Sequence, residues 1–504
     1  MARKEFLNYV WDKCVSPQLG YSFSIPHDIG YSLIGWQEVN LFERFNPLFW
    51  SCACLNVNSG DLGDDNPSDY EELSEQDNSI DQDEEEEVEE KKKNRVAPNY
   101  KKIAKAICDA QLSGVNISLP DINTSVAEFY PDVENNAILY NLSAINSVGD
   151  DLYDRIIANR PYKTMNEFIE KVNPTVGEMF GLIKSGCFNR LLKKETDVIA
   201  YYYVNKLADQ NIPLKEKITA TDIKKIIKLG FIAPGLELET RIFKFKTYID
   251  KFQLDSTVKT RYLLTEESCI KFFEMFFKQA LNASKDEYIY LPDNKIAVKS
   301  STFKKVYDKK IERLTNYYNS PEGLKNYREK LQEIYKQELI DKYCSGPVSK
   351  WQFDTMYFYH DGHELKNMND SLYKTRNFNE LPEITEDKTD LCSIAGTVIG
   401  TNNNKHMISL LTKYGVVDVK LYAEYYNRFN QKISEIDPET KKKTVIEDSW
   451  FKRGNKILVY GQRKENLFSG RIYREGNYSR VVGLIEGVNN DGSLELRFTR
   501  KKKV

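Results

Sequence analysis

The spacing of apolar residues separates a long helical part of the chain from a shorter part made of strands. Residues 1–58 and 191–350 carry apolar side chains at intervals of three and four, as in TATDIKKIIKLG, which predicts amphipathic helices. Residues 96–190 alternate short helices with turns. From about residue 391 the pattern changes to short apolar runs between turn residues: CSIAGTVIG, HMISLLT, GVVDVKLY and KILVYGQR. Helical domains followed by one small β domain predict an α+β, multidomain fold.

An early stretch, GYSFSIPHDIGYSLIGWQ, predicts one helix with two distinct faces. Ser24 can cap the first free N–H groups and Pro26 is tolerated in a first turn, so the helix should begin there. Ile29, Leu33 and Trp36 follow at i, i+4 and i+7, which predicts one buried stripe.

His27 and Tyr31 lie four residues apart on a different face of the same predicted helix. His27 is close to the helix N-terminus, where free N–H groups and a partial positive charge favour a phosphate. A histidine that is simply hydrogen-bonded within the fold also accounts for this stretch, and the stretch alone favours that simpler interpretation.

Charge is distributed very unevenly along the 504 residues. Residues 61–90 contain 16 Asp and Glu and no Lys or Arg, which predicts a disordered linker because such a segment cannot bury a core. Without these 16 carboxylates the net charge of −3 becomes +13, so the folded remainder is basic. A basic protein suits a polyanionic partner, and nucleic acid is the first candidate.

Composition also excludes several classes of protein. No window of 18 residues is apolar, so no transmembrane helix is expected, and the first residues, MARKEFLNYVWDKC, lack the features of a secretory signal. The eight cysteines are scattered, with Cys52 and Cys54 as the one close pair. This pattern fits free thiols in a reducing cytoplasm.

No metal site is predicted within this chain. Asp81 and Asp83 form a D-x-D in the acidic segment, where no strand would hold them in place. His360 and His363 occur in the sequence HDGH without a partner Cys or Glu at a spacing typical of zinc sites.

Residues 142–190 predict a helix-hairpin-helix. Two short helices should flank Ser147-Val148-Gly149-Asp150, with Asp150 capping the second, so that backbone N–H groups converge where a DNA phosphate can bind. Gly149 would allow a tight turn and close approach of the phosphate. An ordinary αα-hairpin accounts for the same residues.

A second hairpin is predicted further along this region. Asn173 precedes a proline and a helix that should end at Lys184-Ser185-Gly186, where glycine is a common stop signal. Asn173 and Lys184 therefore join the predicted DNA contacts.

The predicted β region carries basic and aromatic side chains. Lys405, Lys413 and Arg453 are the basic candidates for contacts with single-stranded DNA, and a small barrel of this composition is typical of an OB-fold. We expect half of its candidate stacking residues to belong to the core. These aromatic residues are Tyr414, Tyr422, Tyr426 and Phe451. The C-terminal sequence RFTRKKKV is either a phosphate contact or a solvated tail.

Together these motifs resemble the alpha subunit of bacterial DNA polymerase III, a C-family replicative polymerase. AINSVGD, RPYKTMNEFIEKV and VNPTVGEMFGLIKSGCFN are similar, in this order, to the tandem helix-hairpin-helix region of that family, with Ser147 where a glycine is usual. GVNISLPDINTSVAEFYPD resembles the segment just upstream, and MYFYHDGHEL resembles the segment before an OB-fold. GYSFSIPHDIGYSLIGWQ resembles a helix of the fingers domain. Residues 191–350 have no counterpart and are interpreted as an insertion.

The resemblance implies that His27 and Tyr31 contact the phosphates and sugar of the incoming dNTP. Ile25, Pro26 and Asp28 depart from the family pattern, since a lysine is missing and a carboxylate is added.

Catalysis in this family depends on two metal ions held by paired carboxylates of the palm domain. No palm motif and no N-terminal phosphoesterase (PHP) domain is recognised in this chain. The resemblance therefore implies Mg2+ held by a partner chain, and a separate PHP and palm polymerase chain as that partner. Duplex and single-stranded DNA and dNTP are the other implied partners, and no membrane is expected. A sliding clamp is a further candidate, although Gln337-Glu338-Leu339-Ile340 and Leu467-Phe468 match a clamp-binding peptide only in part.

We therefore expect the DNA-binding C-terminal part of a replicative polymerase, encoded separately in a phage or an AT-rich bacterium and cytoplasmic. The alternative is a stand-alone DNA-binding protein derived from such a polymerase, without catalysis. The retained fingers helix favours the first hypothesis, because a DNA-binding protein has no use for a nucleotide-contacting element. The changes at Ile25, Pro26 and Asp28 favour the second.

The expected segments follow the chain in order. They are a fingers segment at 1–58, an acidic linker at 59–95, the end of the fingers and the tandem helix-hairpin-helix at 96–190, a helical insertion at 191–350, a connector at 351–390, the OB-fold at 391–478, and a C-terminal β and basic tail at 479–504.

Overall fold

The computed structural model of the chain consists of two compact units. One combines residues 1–200 with residues 346–504, and the other comprises residues 201–345. The predicted acidic linker, with its pair Asp81 and Asp83, lies outside the described residues, as does Ser24. The described residues are 2–12, 16, 25–58, 100–251, 261–382, 392–436, 443–475 and 478–501.

Among the described residues, the first unit begins with four helices. Their bounds are Ala2–Val10 (α1), Ile25–Arg44 (α2), Pro47–Asn58 (α3) and Tyr100–Leu112 (α4). Pro26 lies in the first turn of α2, as the sequence predicts. Helix α3 packs against both α2 and α4.

The prediction of a buried stripe on α2 is wrong. Ile29, Leu33 and Trp36 are 55%, 59% and 70% exposed, and other faces of the helix also expose large apolar side chains. In the described part of the chain, α3 is the one element that packs extensively against α2, so these side chains have no cover. No helix among the described residues is both long and apolar enough to cross a bilayer.

A small sheet and four short helices follow. The strands Asn116–Ser118 (β1), Tyr130–Asp132 (β2) and Ala137–Leu139 (β3) form a sheet of order β1-β3-β2. The helices are Asp150–Ala158 (α5), Met165–Val172 (α6), Val176–Lys184 (α7) and Asn189–Leu192 (α8). Arg160 fixes the loop before β2 by donating to the carbonyl oxygens of Ile122 at 2.8 Å and Ser125 at 2.6 Å.

The second unit is entered through the helix Thr196–Asn211 (α9). Its further helices are Ala220–Lys228 (α10), Glu237–Lys251 (α11), Glu267–Phe276 (α12), Ser300–Lys310 (α13), Glu312–Tyr318 (α14) and Pro321–Tyr343 (α15). An antiparallel sheet of order β4-β6-β5 comprises Arg261–Leu264 (β4), Tyr288–Leu291 (β5) and Lys295–Lys299 (β6). The sequence pattern predicts only helices here, because strands of four or five residues are too short to establish an alternating period.

The first unit resumes with two helices, Val348–Met356 (α16) and Asp370–Tyr373 (α17), and then a β domain. Helix Ala423–Asn430 (α18) follows the third strand of that domain. The strands are Cys392–Asn402 (β7), Met407–Thr412 (β8), Gly415–Lys420 (β9), Ile433–Ile436 (β10), Lys443–Glu447 (β11), Lys456–Lys464 (β12), Leu467–Gly470 (β13), Tyr473–Glu475 (β14), Tyr478–Arg480 (β15), Val482–Val488 (β16) and Leu494–Arg497 (β17).

Five of these strands close into a barrel. Their order is β13-β9-β8-β7-β12, and a further pairing of β13 with β12 completes the ring. Strands β9 and β13 are parallel, and the other neighbours in the ring are antiparallel. A five-stranded barrel with a helix after its third strand is the OB-fold predicted from the sequence. Strands β16 and β17 extend the sheet beyond β12.

Two C-terminal arginines are ion-paired within the barrel domain, which neither alternative for the C-terminal sequence anticipates. The Arg500 side chain is 6% exposed, and its Nε donates to Glu447 at 2.8 Å. The Arg500 guanidinium also donates to the carbonyl oxygens of Phe429 at 2.6 Å and Gln431 at 2.7 Å. Arg497 is paired with the same carboxylate. Both arginines therefore hold the barrel domain together.

Candidate nucleic-acid interface

The hairpin between α6 and α7 is built from strong local signals. Asn173 ends α6 with a left-handed backbone (φ 49°), and Thr175 caps α7. The Thr175 hydroxyl accepts the N–H of Glu178, while the Glu178 carboxylate accepts the N–H of Thr175 at 2.7 Å. Helix α7 ends at Lys184, followed by Gly186 at φ +84°, as predicted.

The hairpin before α5 differs from the prediction in three respects. Residues 142–148 form successive turns rather than a helix. Gly149, not Asp150, is the N-cap, and Asp150 is the first helical residue. Gly149 has an extended backbone (φ −79°, ψ 171°), a conformation open to any residue, so the turn itself does not require glycine. The backbone N–H of Asn146 donates to the carbonyl oxygen of Thr355 at 2.9 Å. This bond to a residue far away in sequence explains why the segment forms turns.

Gly149 nevertheless lies at an open surface. No heavy atom would lie within 4 Å of a Cβ placed there, and the same holds for Gly177 in the first turn of α7. Each glycine exposes backbone beside a helix N-terminus, where N–H groups lack helical partners. Both positions therefore leave room for a phosphate to approach the chain.

Acidic residues limit the contribution of the α5 helix dipole. Asp150 and Asp151 occupy its first turn, where their carboxylates already interact with the positive end of the helix dipole. Asp151 is paired with Arg155 at 3.0 Å. A phosphate at this turn must therefore be held mainly by N–H groups at Gly149.

Ser147 and Val148 point into the fold. Val148 is 7% exposed, and the Ser147 hydroxyl is buried with no hydrogen-bond partner among the described residues. Helix α7 approaches so closely that a Cβ at Gly181 would overlap the Ser147 hydroxyl. These two predicted DNA contacts therefore pack the hairpin against α7, and their side chains do not line the open surface.

Replacing Ser147 by alanine should stabilise this region by about 1 kcal/mol, because it removes a buried hydroxyl with no partner. Binding to duplex DNA should be unchanged. Amide exchange in α7 measures the first effect and fluorescence anisotropy with a labelled duplex measures the second. A tenfold loss of duplex affinity in this variant would show that the hydroxyl does contact DNA.

Arg155 joins the two hairpins. Its guanidinium donates to the carbonyl oxygens of Val172 and Asn173, the latter at 3.1 Å, and lies 3.7 Å from the Glu178 carboxylate. The α5 turn and the α6–α7 turn are therefore held in a fixed relation. Sequence reasoning missed Arg155, because no motif identifies the two backbone carbonyl oxygens through which it holds the second hairpin.

Two predicted contacts lie near this junction. Asn173 is exposed in the turn, where its carbonyl oxygen accepts from Arg155. Lys184 is half-buried at the end of α7, the end opposite to Gly177. Of the two, Asn173 lies closer to the open glycines.

The β7–β8 loop presents the basic surface of the barrel. Lys405 is exposed there, and the Lys420 side chain donates to its carbonyl oxygen, which brings two lysines together. Asn403 anchors the loop on α18 by accepting from Tyr426 at 2.7 Å and Asn430 at 3.0 Å. Sequence reasoning missed Lys420, although its place at the exposed end of β9 could have identified it.

The other two basic candidates of the barrel are engaged within the protein. Lys413 is paired with Asp370, and its side chain is 17% exposed. Arg453 stacks on Tyr357, with 4.7 Å to the ring centroid, and on Tyr100 at 5.6 Å. Their charges are therefore less available to DNA than that of Lys405.

The aromatic candidates divide evenly between core and surface, as expected. Tyr426 and Phe451 are buried in the barrel. Tyr414 and Tyr422 are exposed, and Tyr422 stacks with Arg471 at 5.1 Å. Tyr422 and Tyr414 remain the residues that could stack on bases.

Helix α16 connects the hairpin region to the barrel. The Met356 carbonyl oxygen accepts from the hydroxyl of Tyr140 at 2.9 Å, and the neighbouring Thr355 accepts from Asn146. The next residue, Tyr357, stacks on Arg453 of the barrel. The two candidate DNA-binding elements are thus joined by directly packed residues.

His27 and Tyr31 lie together on α2, with ring centroids 4.3 Å apart. Both side chains are exposed, and His27 is in the first turn of the helix. The two rings therefore lie side by side on one face of α2, as their spacing of four residues predicts.

The histidines of HDGH have structural roles. His363 is 6% exposed, its Nδ1 accepts the N–H of Leu365 at 2.9 Å, and its Nε2 lies 2.8 Å from the carbonyl oxygen of Leu411. Burial lowers its pKa to about 4, so the ring is neutral with the proton on Nε2. Both ring nitrogens are thereby occupied. His360 Nδ1 is paired with Asp361 at 2.8 Å.

The two partial clamp-binding sequences lie within folded elements. Leu339 is buried in α15, and Phe468 is fully buried in β13. Neither segment could bind as an extended peptide without leaving its own core.

Comparison with known proteins agrees with this arrangement. Residues 114–197 match the family model described as a helix-hairpin-helix motif. The chain is 32% identical over 512 residues to the probable DNA polymerase YorL of Bacillus subtilis (strain 168), and equally to the DNA-directed DNA polymerase of Bacillus phage SPbeta. These matches cover 98% of this chain but 36% of each relative, so the chain spans about a third of their length.

A shorter match extends the relationship to cellular enzymes. The DNA polymerase III subunit alpha of Caulobacter vibrioides is 30% identical over 109 residues, which is 20% of this chain and 9% of that protein. Over nearly its whole length the chain is thus homologous to one part of these DNA polymerases, and over a shorter stretch to the alpha subunit of bacterial DNA polymerase III.

Proposed function

We propose that this chain is the DNA-binding part of a replicative DNA polymerase. It holds duplex DNA through the turns before α5 and α7, and it guides the template strand over the barrel. The observation that carries the proposal is the pair of open glycines, Gly149 and Gly177, each beside a helix N-terminus and held in register by Arg155. Two such turns can contact phosphates through N–H groups without reading the base sequence.

Single-stranded template would bind a separate surface. Lys405 and Lys420 supply positive charge at one end of the barrel, and Tyr422 supplies an exposed ring. Lysine with an exposed aromatic residue is the usual combination for binding a single strand without sequence preference. Lys413 and Arg453 would contribute mainly by holding the barrel in place.

Helix α2 would complete the nucleotide-binding fingers. Its exposed apolar surface, which includes Leu33 and Trp36, is larger than an isolated soluble helix ordinarily tolerates. The matched region makes up 36% of the relative from Bacillus subtilis. We propose that the remaining part of the polymerase covers α2. His27 and Tyr31 would then face the phosphates and sugar of the dNTP.

The catalytic metal ions would be held elsewhere. Mg2+ ions would be bound by carboxylates of the palm, in a part of the polymerase outside these 504 residues, and the separate PHP and palm chain expected from the sequence is one such arrangement. This chain would supply DNA and nucleotide contacts to that centre. A stand-alone DNA-binding protein remains the alternative, and it would bind DNA identically without contributing to primer extension.

Substituting Gly149 by valine tests the hairpin contact. Its extended φ and open surroundings allow a side chain without strain, so the effect should come from excluding phosphate. Duplex affinity should fall about tenfold, roughly 1.4 kcal/mol, while single-strand affinity is unchanged. Alanine at the same position should give a smaller loss. Anisotropy titrations with labelled duplex and single strands measure both.

Ser147→Ala is the matched control, since that side chain lies in the same turn but points inward. Circular dichroism must show each variant folded. Equal loss of duplex and single-strand binding in Gly149→Val, or no loss of either, would contradict the proposed role of this turn.

A further inference from the structure

Helix α13, in the unit of residues 201–345, presents a row of lysines to solvent. Lys304, Lys305 and Lys309 are exposed on one side of this helix, and the acidic residue among them is Asp308. The whole unit is basic, with 27 Lys and Arg against 20 Asp and Glu. We call the surface formed by these three lysines the α13 lysine face.

Buried aromatic residues fix the direction of this face. Phe303 is 1% exposed and Tyr307 is 2% exposed, and they lie four residues apart on the inner side of α13. The Phe303 ring packs 4.8 Å from that of Phe277 in the core of the unit. Since residues one, two and six positions after Phe303 cannot share its side of a helix, the three lysines must point outward.

The α13 lysine face is not neutralised by neighbouring carboxylates. Among the described residues, none of these three lysines has a carboxylate within ion-pair distance. Three other lysines of the same unit, by contrast, are paired along their own helices: Lys271 with Glu267, Lys325 with Glu329, and Lys330 with Glu333. The charge on α13 is therefore available to an external anion.

We propose that the α13 lysine face binds the phosphate backbone of duplex DNA. The proposal rests on the proposed function, which supplies DNA as the polyanion already held by the chain. Lysine contacts phosphate as a point charge, so the binding would not depend on sequence.

Two features favour duplex DNA over other anionic surfaces. The exposed side of α13 carries Ser301, Asp308 and the three lysines, with no aromatic ring on which an unpaired base could stack. It also carries no exposed apolar side chain to enter a lipid bilayer, which surface-bound membrane helices require.

The spacing of the lysines limits the number of contacts. Lys304 to Lys309 spans about 7.5 Å along the helix axis, at about 1.5 Å per residue. Phosphates of one DNA strand are separated by about 3.4 Å along the duplex axis, so the face can reach two or three of them.

The test replaces all three lysines by glutamine in the full chain. Each lost phosphate contact should reduce the slope of log affinity against log salt by about 0.9, so the slope should become shallower by about 2 to 3. Duplex affinity at low salt should fall at least tenfold. Single-strand affinity should change much less.

The matched control replaces Lys271, Lys325 and Lys330 by glutamine. It removes the same total charge from the same unit, but from lysines that are already ion-paired. For this control, the slope of log affinity against log salt should change by less than about 0.9, the change expected for one phosphate contact. Equal slopes in the two triple variants would overturn the proposal, since the effect would then reflect net charge alone.

Gly149→Val, measured in parallel, separates this proposal from the proposed function. If Gly149→Val weakens duplex binding while the α13 variant matches its control, only the α13 proposal fails. If neither variant weakens binding, the proposed function fails as well. A loss of binding to phosphatidylserine vesicles, with the DNA slope intact, would assign the face to a membrane and contradict the proposal.

Discussion

Replacing Glu447 by alanine should destabilise the barrel domain by about 3 to 5 kcal/mol, the usual cost of leaving buried charge without its partner. The Glu447 side chain is 5% exposed, and it pairs with Arg500 at 2.8 Å and with Arg497. It also accepts from the Trp450 ring nitrogen at 2.9 Å and from the backbone N–H of Lys501 at 2.8 Å. Without the carboxylate, Arg500 would remain buried without a counter-charge.

The same group should make the barrel sensitive to acid. Burial by itself would raise the pKa of Glu447, but the hydrogen bonds from Trp450, Arg497, Arg500 and the Lys501 N–H outweigh burial and lower it to about 2. Its unfolded-state pKa is about 4.3. Because the folded pKa is the lower one, the stabilisation is fully present above about pH 4.3 and is lost as the pH falls toward 2.

Hydrogen exchange of the β12 amides measures both the destabilisation by Glu447→Ala and the loss of stability at acid pH, within the barrel itself. Glu447→Gln should abolish the part of the acid sensitivity that falls between pH 4 and 2, roughly the interval between the two pKa values. Glu267→Ala is the control, since it removes a carboxylate from an exposed pair with Lys271 and should leave protection unchanged. Unchanged β12 protection in Glu447→Ala would refute the role assigned to this cluster.

Replacing Gly323 by valine should destabilise the unit of residues 201–345 by about 3 kcal/mol or more, because it places a side chain where the backbone leaves no space. A Cβ at Gly323 would overlap the Tyr317 carbonyl oxygen and lie 2.8 Å from the Cα of Tyr318. Both are main-chain atoms at the end of α14, so neither can move aside as a flexible side chain would. Ser320, which caps α15 through the Gly323 N–H at 3.1 Å, would be displaced as well.

Gly35→Ala is the control for this substitution. Gly35 also lies within a helix, but apart from the backbone of its own helix turn and its chain neighbours no heavy atom of the described residues lies within 4 Å of the Cβ position, so alanine should be tolerated there. Amide exchange should show loss of protection in α15 for Gly323→Val and intact protection in the barrel strands. The salt slope for duplex DNA should fall toward that of the triple α13 variant. Protection in α15 equal to that of the parent chain would contradict this prediction.

Features fixed by neighbouring residues could be read from the sequence. The start of α7 depends on Thr175 and Glu178, three residues apart, and its end depends on Gly186, two residues after the last helical residue. The barrel strands could be predicted because their apolar runs are separated by turn residues. The likeness of several motifs to one family, in the same order, then identified the region as part of a polymerase.

Features fixed by distant residues could not be read from it. The turns at 142–148 look helical from the spacing of Leu142 and Ile145, but Asn146 bonds to Thr355 in another segment. Lys413 looks available until Asp370 is placed beside it. The apolar period of α2 predicts a buried face, yet the described chain leaves that face exposed. Sequence period shows which residues are apolar, while burial depends on what packs against them.

The Glu447 cluster also has a consequence for the order of events during synthesis. The five strands of the barrel are complete at Gly470, but the counter-charges of Glu447 are Arg497 and Arg500. While the chain emerges from the ribosome, all five barrel strands are available before these arginines are, and until then the Glu447 carboxylate has neither of its counter-charges. The barrel domain therefore acquires the two counter-charges of Glu447 only when its last segment has been made, and the turns at 142–148 likewise wait for Thr355.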